Sequence, residues 1–273
     1  MSTTIAPSAR RGRASLGLAI ALLIGVGLGE ASAQDLLKGL DLTSPAMTEA
    51  EMTREELEAA LEEAEEPLDL TGKRLNGLDL SDLDLSGAIL RSARLNGASL
   101  AGADLAGAIL DQAWMLNADL TDADLTGAHL FQAQLIGSSL DGADFTGARV
   151  ASDLSKTSLK GAIFTGASLG ADMQNQSMGL MRGVFRKADL EGADLSGADL
   201  SRVDFEFANL RDADLTGANL MRASLGGADL TGAIVEGANF NEADVASAKL
   251  KELIGAESTN LDRARNLKSA FRD

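Results

Sequence analysis

The 273-residue chain has no cysteine, no tyrosine, one histidine (His129), one tryptophan (Trp114) and three prolines. Without cysteine there is no disulfide, thiolate nucleophile or Cys-ligated zinc. One histidine leaves little for His-based acid–base chemistry or clustered metal ligation. The longest apolar stretch, Leu16 to Leu28, is too short to span a bilayer comfortably. The formal net charge of −17 comes with no basic stripe, which argues against direct nucleic-acid binding. No nucleotide-binding glycine signature stands outside the regular turns.

What the chain does have is a beat. From Leu70 an apolar residue recurs every fifth position to Val150, resumes at Leu154, Leu159, Phe164 and Leu169, and returns from Phe185 to Leu250. Of 35 beat positions 26 are Leu, and the place two before the beat is Ala in 26, so the period is a structural rule. Five matches neither the helical period nor the strand alternation. Ala at minus two and Leu at the beat both fit an inward direction, and the following residues must turn the chain. Gly often lies two places after the beat, as at Gly87, Gly107 and Gly217, where a bend needs backbone freedom. A short fixed period predicts a solenoid.

Runs such as Ala103-Asp104-Leu105-Ala106-Gly107 and Ala213-Asp214-Leu215-Thr216-Gly217 resemble the pentapeptide-repeat family, A-(D/N)-L-x-x. The resemblance covers about two-thirds of the chain. It implies an all-β solenoid, a right-handed quadrilateral β-helix with four pentapeptides to a coil, so that residues 70–250 give about nine coils and a rod on the order of 43 Å at sheet spacing; the residues at each end add the expectation of short helical caps at both ends.

Residues 1–33 read as a secretory signal: Arg10, Arg11 and Arg13, then the apolar stretch, then Ala31-Ser32-Ala33 before Gln34. Residues 34–67 hold a linker and a capping helix, expected over 48–66 with Thr48 and Glu51 at capping-box spacing. Met52, Leu57, Ala60, Leu61 and Ala64 form its apolar stripe. Residues 68–250 are the repeat body, and 251–273 are expected to cap its far end through Leu253, Ile254, Leu261, Leu267 and Phe271. Terminal faces form dimers in some family members, so the resemblance also implies a possible homodimer through this end.

The repeat is interrupted at 151–184. Spacing slips by one between Val150 and Leu154 and is lost between Leu169 and Phe185. Insertions in repeat proteins emerge as loops, often on the binding face. Met173, Met178 and Met181 are soft thioethers of a kind that binds copper(I). Met173 and Met178 are also five apart, the spacing of core beats in a shifted coil, and that is the reading we expect. No cofactor is expected.

Residues 20 apart should stack in outward columns, giving an Asp84, Asp104, Asp124, Asp144 ladder expected to be a solvated face. Trp114 shares a column with Arg74, Arg94 and Gln134; Leu116 and Ile136 stack beside it, and Phe131 lies one wall over. Exposed apolar groups of this kind mark interaction surfaces. The expected protein-binding residues are therefore Trp114, Leu116, Phe131 and Ile136, with Met178, Met181 and Arg182 of the interruption.

These features point to an exported, periplasmic, non-enzymatic rod that binds an unidentified protein, with no membrane span once the signal is removed. The alternative that the resemblance offers is a cytoplasmic, DNA-mimicking protector or inhibitor of type II topoisomerase. The repeat body carries about one net negative charge per 4 Å of rod, against one per ~1.7 Å in duplex DNA, so the mimicry would be under half strength.

Overall fold

The computed structural model describes residues 41–171 and 181–272. The signal assignment and the positions of Met173 and Met178 lie outside the described residues.

Each pentapeptide makes one side of a coil. The residue before each beat forms a parallel bridge with its counterpart in the next coil, and four columns of such bridges run along the molecule. The first wall begins Asp69, Ile89, Ile109, His129; the second, Arg74, Arg94, Trp114, Gln134; the third, Asp79, Ser99, Asp119, Ser139; the fourth, Asp84, Asp104, Asp124, Asp144. The body is thus a four-walled solenoid, and among the described residues its sheets are ladders of single bridges rather than longer strands.

The backbone explains the period. Asp104 N–H donates to Leu83 O of the preceding coil at 2.9 Å, and Leu105 N–H donates to Asp124 O of the following coil at 2.7 Å. At the corner, Ala108 N–H closes a turn on Leu105 O at 2.9 Å around Gly107, whose φ is +66°. Positive φ at the third turn residue is the type II pattern, which glycine adopts without steric cost. Leu at the beat and Ala two before it are buried almost without exception, forming one continuous core. Burying each large side chain is worth roughly 1.5–3 kcal/mol. Small Ala between the Leu columns lets facing walls approach.

Aspartate before the beat has a second task. Its carboxylate accepts the backbone N–H two residues on: Asp84 from Ser86 at 3.0 Å, Asp124 from Thr126 at 2.8 Å, Asp214 from Thr216 at 2.8 Å. Asn219 and Asn239 do the same for Met221 and Asn241. Asx turns of this kind give the Asp/Asn preference a local cause.

The first coil departs from the Ala rule, with Leu68, Leu78 and Leu83 two before the beat. These larger chains pack on the core at its N-terminal end, as do Met52 and Leu61 of the N-terminal segment, which carries α1 (Pro45–Thr48) and α2 (Arg54–Glu63). The cap differs from the sequence expectation of one helix over 48–66. Thr53, not Thr48, is the N-cap; it accepts from Glu56 N–H, while the Glu56 side chain accepts from Thr53 N–H. Thr53 and Glu56 have the same capping-box spacing, and Pro45 starts a separate short helix. Glu51 instead pairs with Lys73 and Arg74 at 3.1 and 3.2 Å. Leu57 of α2 is fully buried over the end of the core.

The far end also differs. Residues 251–272 contain three single 3₁₀ turns, Ala256–Ser258, Leu261–Arg263 and Leu267–Ser269. The bridges continue through them: Ile254 onto Ile234, Arg265 onto Asp244, Phe271 onto Lys249. Leu253, Leu261 and Leu267 pack on the core as expected. Ile254 and Phe271 do not, being 57% and 56% exposed, because they occupy the outward place before a beat.

At the interruption, bridges that normally join residues 20 apart first shorten to 19 (Gln134 with Asp153) and then lengthen to 31 (Asp153 with Val184) before returning to 20. Gly183 N–H donates to Leu169 O at 2.8 Å, so the inserted segment leaves and rejoins the wall at adjoining backbone positions. Core phenylalanines concentrate here: Phe145 stacks on Phe164 with centroids 4.6 Å apart, and Phe185 on Phe205 at 5.1 Å. Gly183 replaces the usual Ala because a Cβ there would lie 2.9 Å from the Phe185 ring.

Candidate interaction surface

The outward side chains near the second wall depart most from the repeat. Trp114 bridges Arg94 and Gln134 and is half-buried, as are Phe131 and Ile136. Leu116 is not the exposed residue expected from the sequence: it is buried, at 9% exposure. Its column begins with Asn76 and Asn96, which tie down the N-terminal segment. Asn76 Nδ2 donates to Glu49 O at 3.1 Å, and Asn96 Nδ2 to Met47 O at 3.2 Å. Asn76 Oδ1 accepts from Asn96 N–H, and Asn96 Oδ1 from Leu116 N–H at 3.0 Å, so this corner is a continuous latch rather than an open patch.

Along the corner between the first and second walls runs a polar ladder. Ser92 donates to Gln112, Gln112 to Gln132 at 3.2 Å, and Gln132 Nε2 to the Met181 sulfur at 3.3 Å. Met181 therefore comes to the corner that holds Phe131, and neighbouring Arg182 is half-buried. Met178 lies outside the described residues.

The fourth wall continues its Asp ladder through Ile163, Asp194, Asp214, Ile234 and Ile254. Hydrogen bonds from the Ser86 hydroxyl and backbone hold the Asp84 carboxyl below the usual carboxylate range. For Asp194, burial pushes upward but hydrogen bonds from Ser196 and Thr165 outweigh it, and the carboxyl is lowered. These groups are occupied as turn acceptors. Among the described residues no three His, Asp or Glu side chains gather to hold a metal ion. His129 is exposed between Ile109 and Arg149. An open cleft of about 610 Å³ lies beside α2, lined by Glu58, Glu62, Glu65 and Asp84 over Leu61 and Leu83.

One surface residue escaped the sequence reading. Phe207 sits two places after its beat, at a corner, with φ +60° and 62% of its surface exposed. Its signal was available: an aromatic at a place otherwise given to glycine and polar or charged residues.

The pentapeptide-repeat family model matches in eight copies, over residues 69–97, 79–115, 115–150, 184–217 and 218–252, more than half of the chain. The chain belongs to the pentapeptide-repeat family. Solved pentapeptide-repeat proteins resemble it. HetL, involved in heterocyst differentiation regulation in the cyanobacterium Nostoc sp. strain PCC 7120, is 29% identical over 81% of this chain and 97% of its own, with a TM-score of 0.44. QnrB1, a plasmid-mediated fluoroquinolone resistance protein, is 21% identical over 76% of this chain and 86% of its own, with a TM-score of 0.41. A pentapeptide-repeat protein from the Arabidopsis thaliana thylakoid lumen is 22% identical over 64% of this chain and 69% of its own, with a TM-score of 0.14. No curated protein matches.

Proposed function

We propose that this pentapeptide-repeat protein is a non-catalytic display rod: a right-handed, four-sided β-helix of about nine coils that holds a protein-binding surface at fixed rung spacing. The supporting observation is the division of labour between inside and outside. The core is filled by repeated Leu and Ala, while the irregular apolar groups Trp114, Phe131, Ile136 and Met181 gather on and beside one wall. We further propose that the protein is exported after cleavage following Ala33, which rests on the N-terminal sequence, and that its partner is met outside the cytoplasm.

The test is cross-linking of the natively expressed protein in separated cytoplasmic and exported fractions, with intact-mass measurement. We expect a mature form beginning at Gln34 in the exported fraction and a partner adduct that Trp114→Ser with Phe131→Ser weakens without changing the melting temperature. A full-length cytoplasmic form would overturn the export reading. An adduct unaffected by the double variant would remove the second wall from the binding surface.

The topoisomerase reading is less favoured, because isoleucines break the fourth-wall Asp column at three rungs. The exposed Ile254 and Phe271 support the proposal that a second copy docks at the C-terminal end; sedimentation of wild type against Phe271→Lys would test it.

A further inference from the structure

Phe207 is placed at a cost. The left-handed region is disfavoured for bulky residues, and glycine takes it freely at many corners of this solenoid. Burial offers little compensation, since the side chain is largely exposed. Strain of this sort, when observed, points toward a functional role rather than a packing one.

The surroundings are equally particular. Backbone bonds run from Lys156 N–H to Arg186 O, from Lys187 N–H to Glu206 O, and from Phe207 N–H to Gly226 O. Lys156, Lys187, Phe207 and Gly227 are therefore successive rungs of one corner. Lys156 and Lys187 are exposed, each with positive φ, and neither has an ion-pair partner among the described residues. Asp204 and Glu206 of the next rung pair with Arg186, at 2.6 Å and 3.3 Å. On the far side of Phe207 the next rung is Gly226-Gly227. A Cβ on Gly227 would lie 2.7 Å from the Phe207 ring, so the ring lies against glycine backbone. Gly226 has no positive φ to require glycine, and Gly170 is the other glycine at its repeat position. Ala246 and Ser247 extend the shelf.

We propose that the Lys156–Lys187–Phe207 ridge, with the Gly226–Gly227 shelf, is a docking site for an acidic amphipathic segment of a partner protein. Carboxylates of the segment meet the two lysines, and its apolar face lies against the Phe207 ring and the shelf. Charge complementarity selects this occupant: the two exposed lysines, with no ion-pair partner among the described residues, make a local basic ridge on an otherwise acidic chain, and such a ridge favours carboxylates. Exposed aromatic groups serve as anchors in such contacts. From Lys156 to Ser247 the ridge spans four rungs, about 19 Å, which matches a helix of about 13 residues. The proposal deepens the display-rod reading by naming a second patch and its partner's chemistry.

The probe is a labelled amphipathic peptide of about 15 residues, with leucines on one face flanked by glutamates, and a control peptide with lysines in place of the glutamates. Binding to the full chain is read by fluorescence anisotropy, and thermal stability in parallel. We expect the acidic peptide to bind, the basic one not to, and Phe207→Gly and Lys156→Glu/Lys187→Glu each to weaken binding at least about tenfold. Phe207→Gly should also melt at the same or a higher temperature, since glycine relieves the strained backbone.

Equal binding of both peptides, or binding of neither, overturns the proposal. So does a Phe207→Gly protein that melts lower and keeps its binding, because the ring would then be a packing group. Binding to anionic phosphatidylglycerol vesicles with no affinity for the peptide would reassign the ridge to a lipid surface. Failure here with a partner adduct still sensitive to Trp114→Ser would leave the display-rod reading standing.

Discussion

At the residue scale, the direction of each side chain follows from its place in the pentapeptide. Leu120 is fully buried, and Leu120→Asp puts an unpaired carboxylate into a core with no partner for it. We expect loss of more than about 4 kcal/mol and collapse of the circular dichroism signal; a soluble variant with a native spectrum would reverse the inside–outside assignment. Gly183→Ala is a finer probe. Its new Cβ would lie 2.9 Å from the Phe185 ring and 3.4 Å from Leu169 O. Overpacking of this kind costs about 1–3 kcal/mol, measurable by denaturant titration. The inward Ala and Leu were legible from spacing alone. The Asx turns were not, since a ladder of acids looks the same in sequence whether it is merely solvated or accepting backbone N–H groups. Phe207 was not legible because the five-residue pattern marks which residues point inward, while the demand at its corner lies in the backbone conformation.

At the element scale, the ends depart from the repeat because the last coil on each side has no neighbour to cover it. The N-terminal solution is α2, capped by Thr53 and Glu56 and anchored by Leu57. Thr53→Ala should cost about 1 kcal/mol in thermal unfolding. Leu57→Asp should release the helix from the end of the core, and we expect the solenoid spectrum to persist while light scattering reports association through the uncovered coil edge. Unfolding of the whole chain with Leu57→Asp would instead make the helix part of the folding core. A helical cap was legible in the sequence, but its start was not, because Thr48 and Thr53 both have the capping-box spacing. The C-terminal coil carries three single 3₁₀ turns where a helical cap is expected from the sequence. Its Leu spacing stretches beyond five, and 3₁₀ turns absorb the extra residues while the bridges continue.

At the scale of the whole molecule, the repeated Asx turns make stability depend on acid. The carboxyls of Asp69, Asp79 and Asp84 are lowered, chiefly by hydrogen bonds from Thr71, Ser81 and Ser86. A lowered folded-state pKa means that the unfolded chain binds protons more tightly. The contribution is therefore complete above the unfolded carboxylate value, about 4, and is lost as pH falls through the lower folded values. We expect the melting temperature to hold steady from neutral pH to about 5 and to fall steeply below about 4. A profile flat to pH 2 would mean that the turns do not depend on ionised Asp. The four-walled architecture was legible because one rule, repeated, dictates it. The candidate surface was legible only in part, because it consists of departures from that rule and the N-terminal latch over Asn76 and Asn96 depends on long-range hydrogen bonds.

The bond from Gly183 N–H to Leu169 O closes the neck of the inserted segment. Below and above it the rungs are in phase, so the walls are insensitive to how much chain passes through that neck. The position is a socket: a guest domain whose own ends lie side by side can be spliced there and carried at a set height on the rod, with the ladders on either side left as they are.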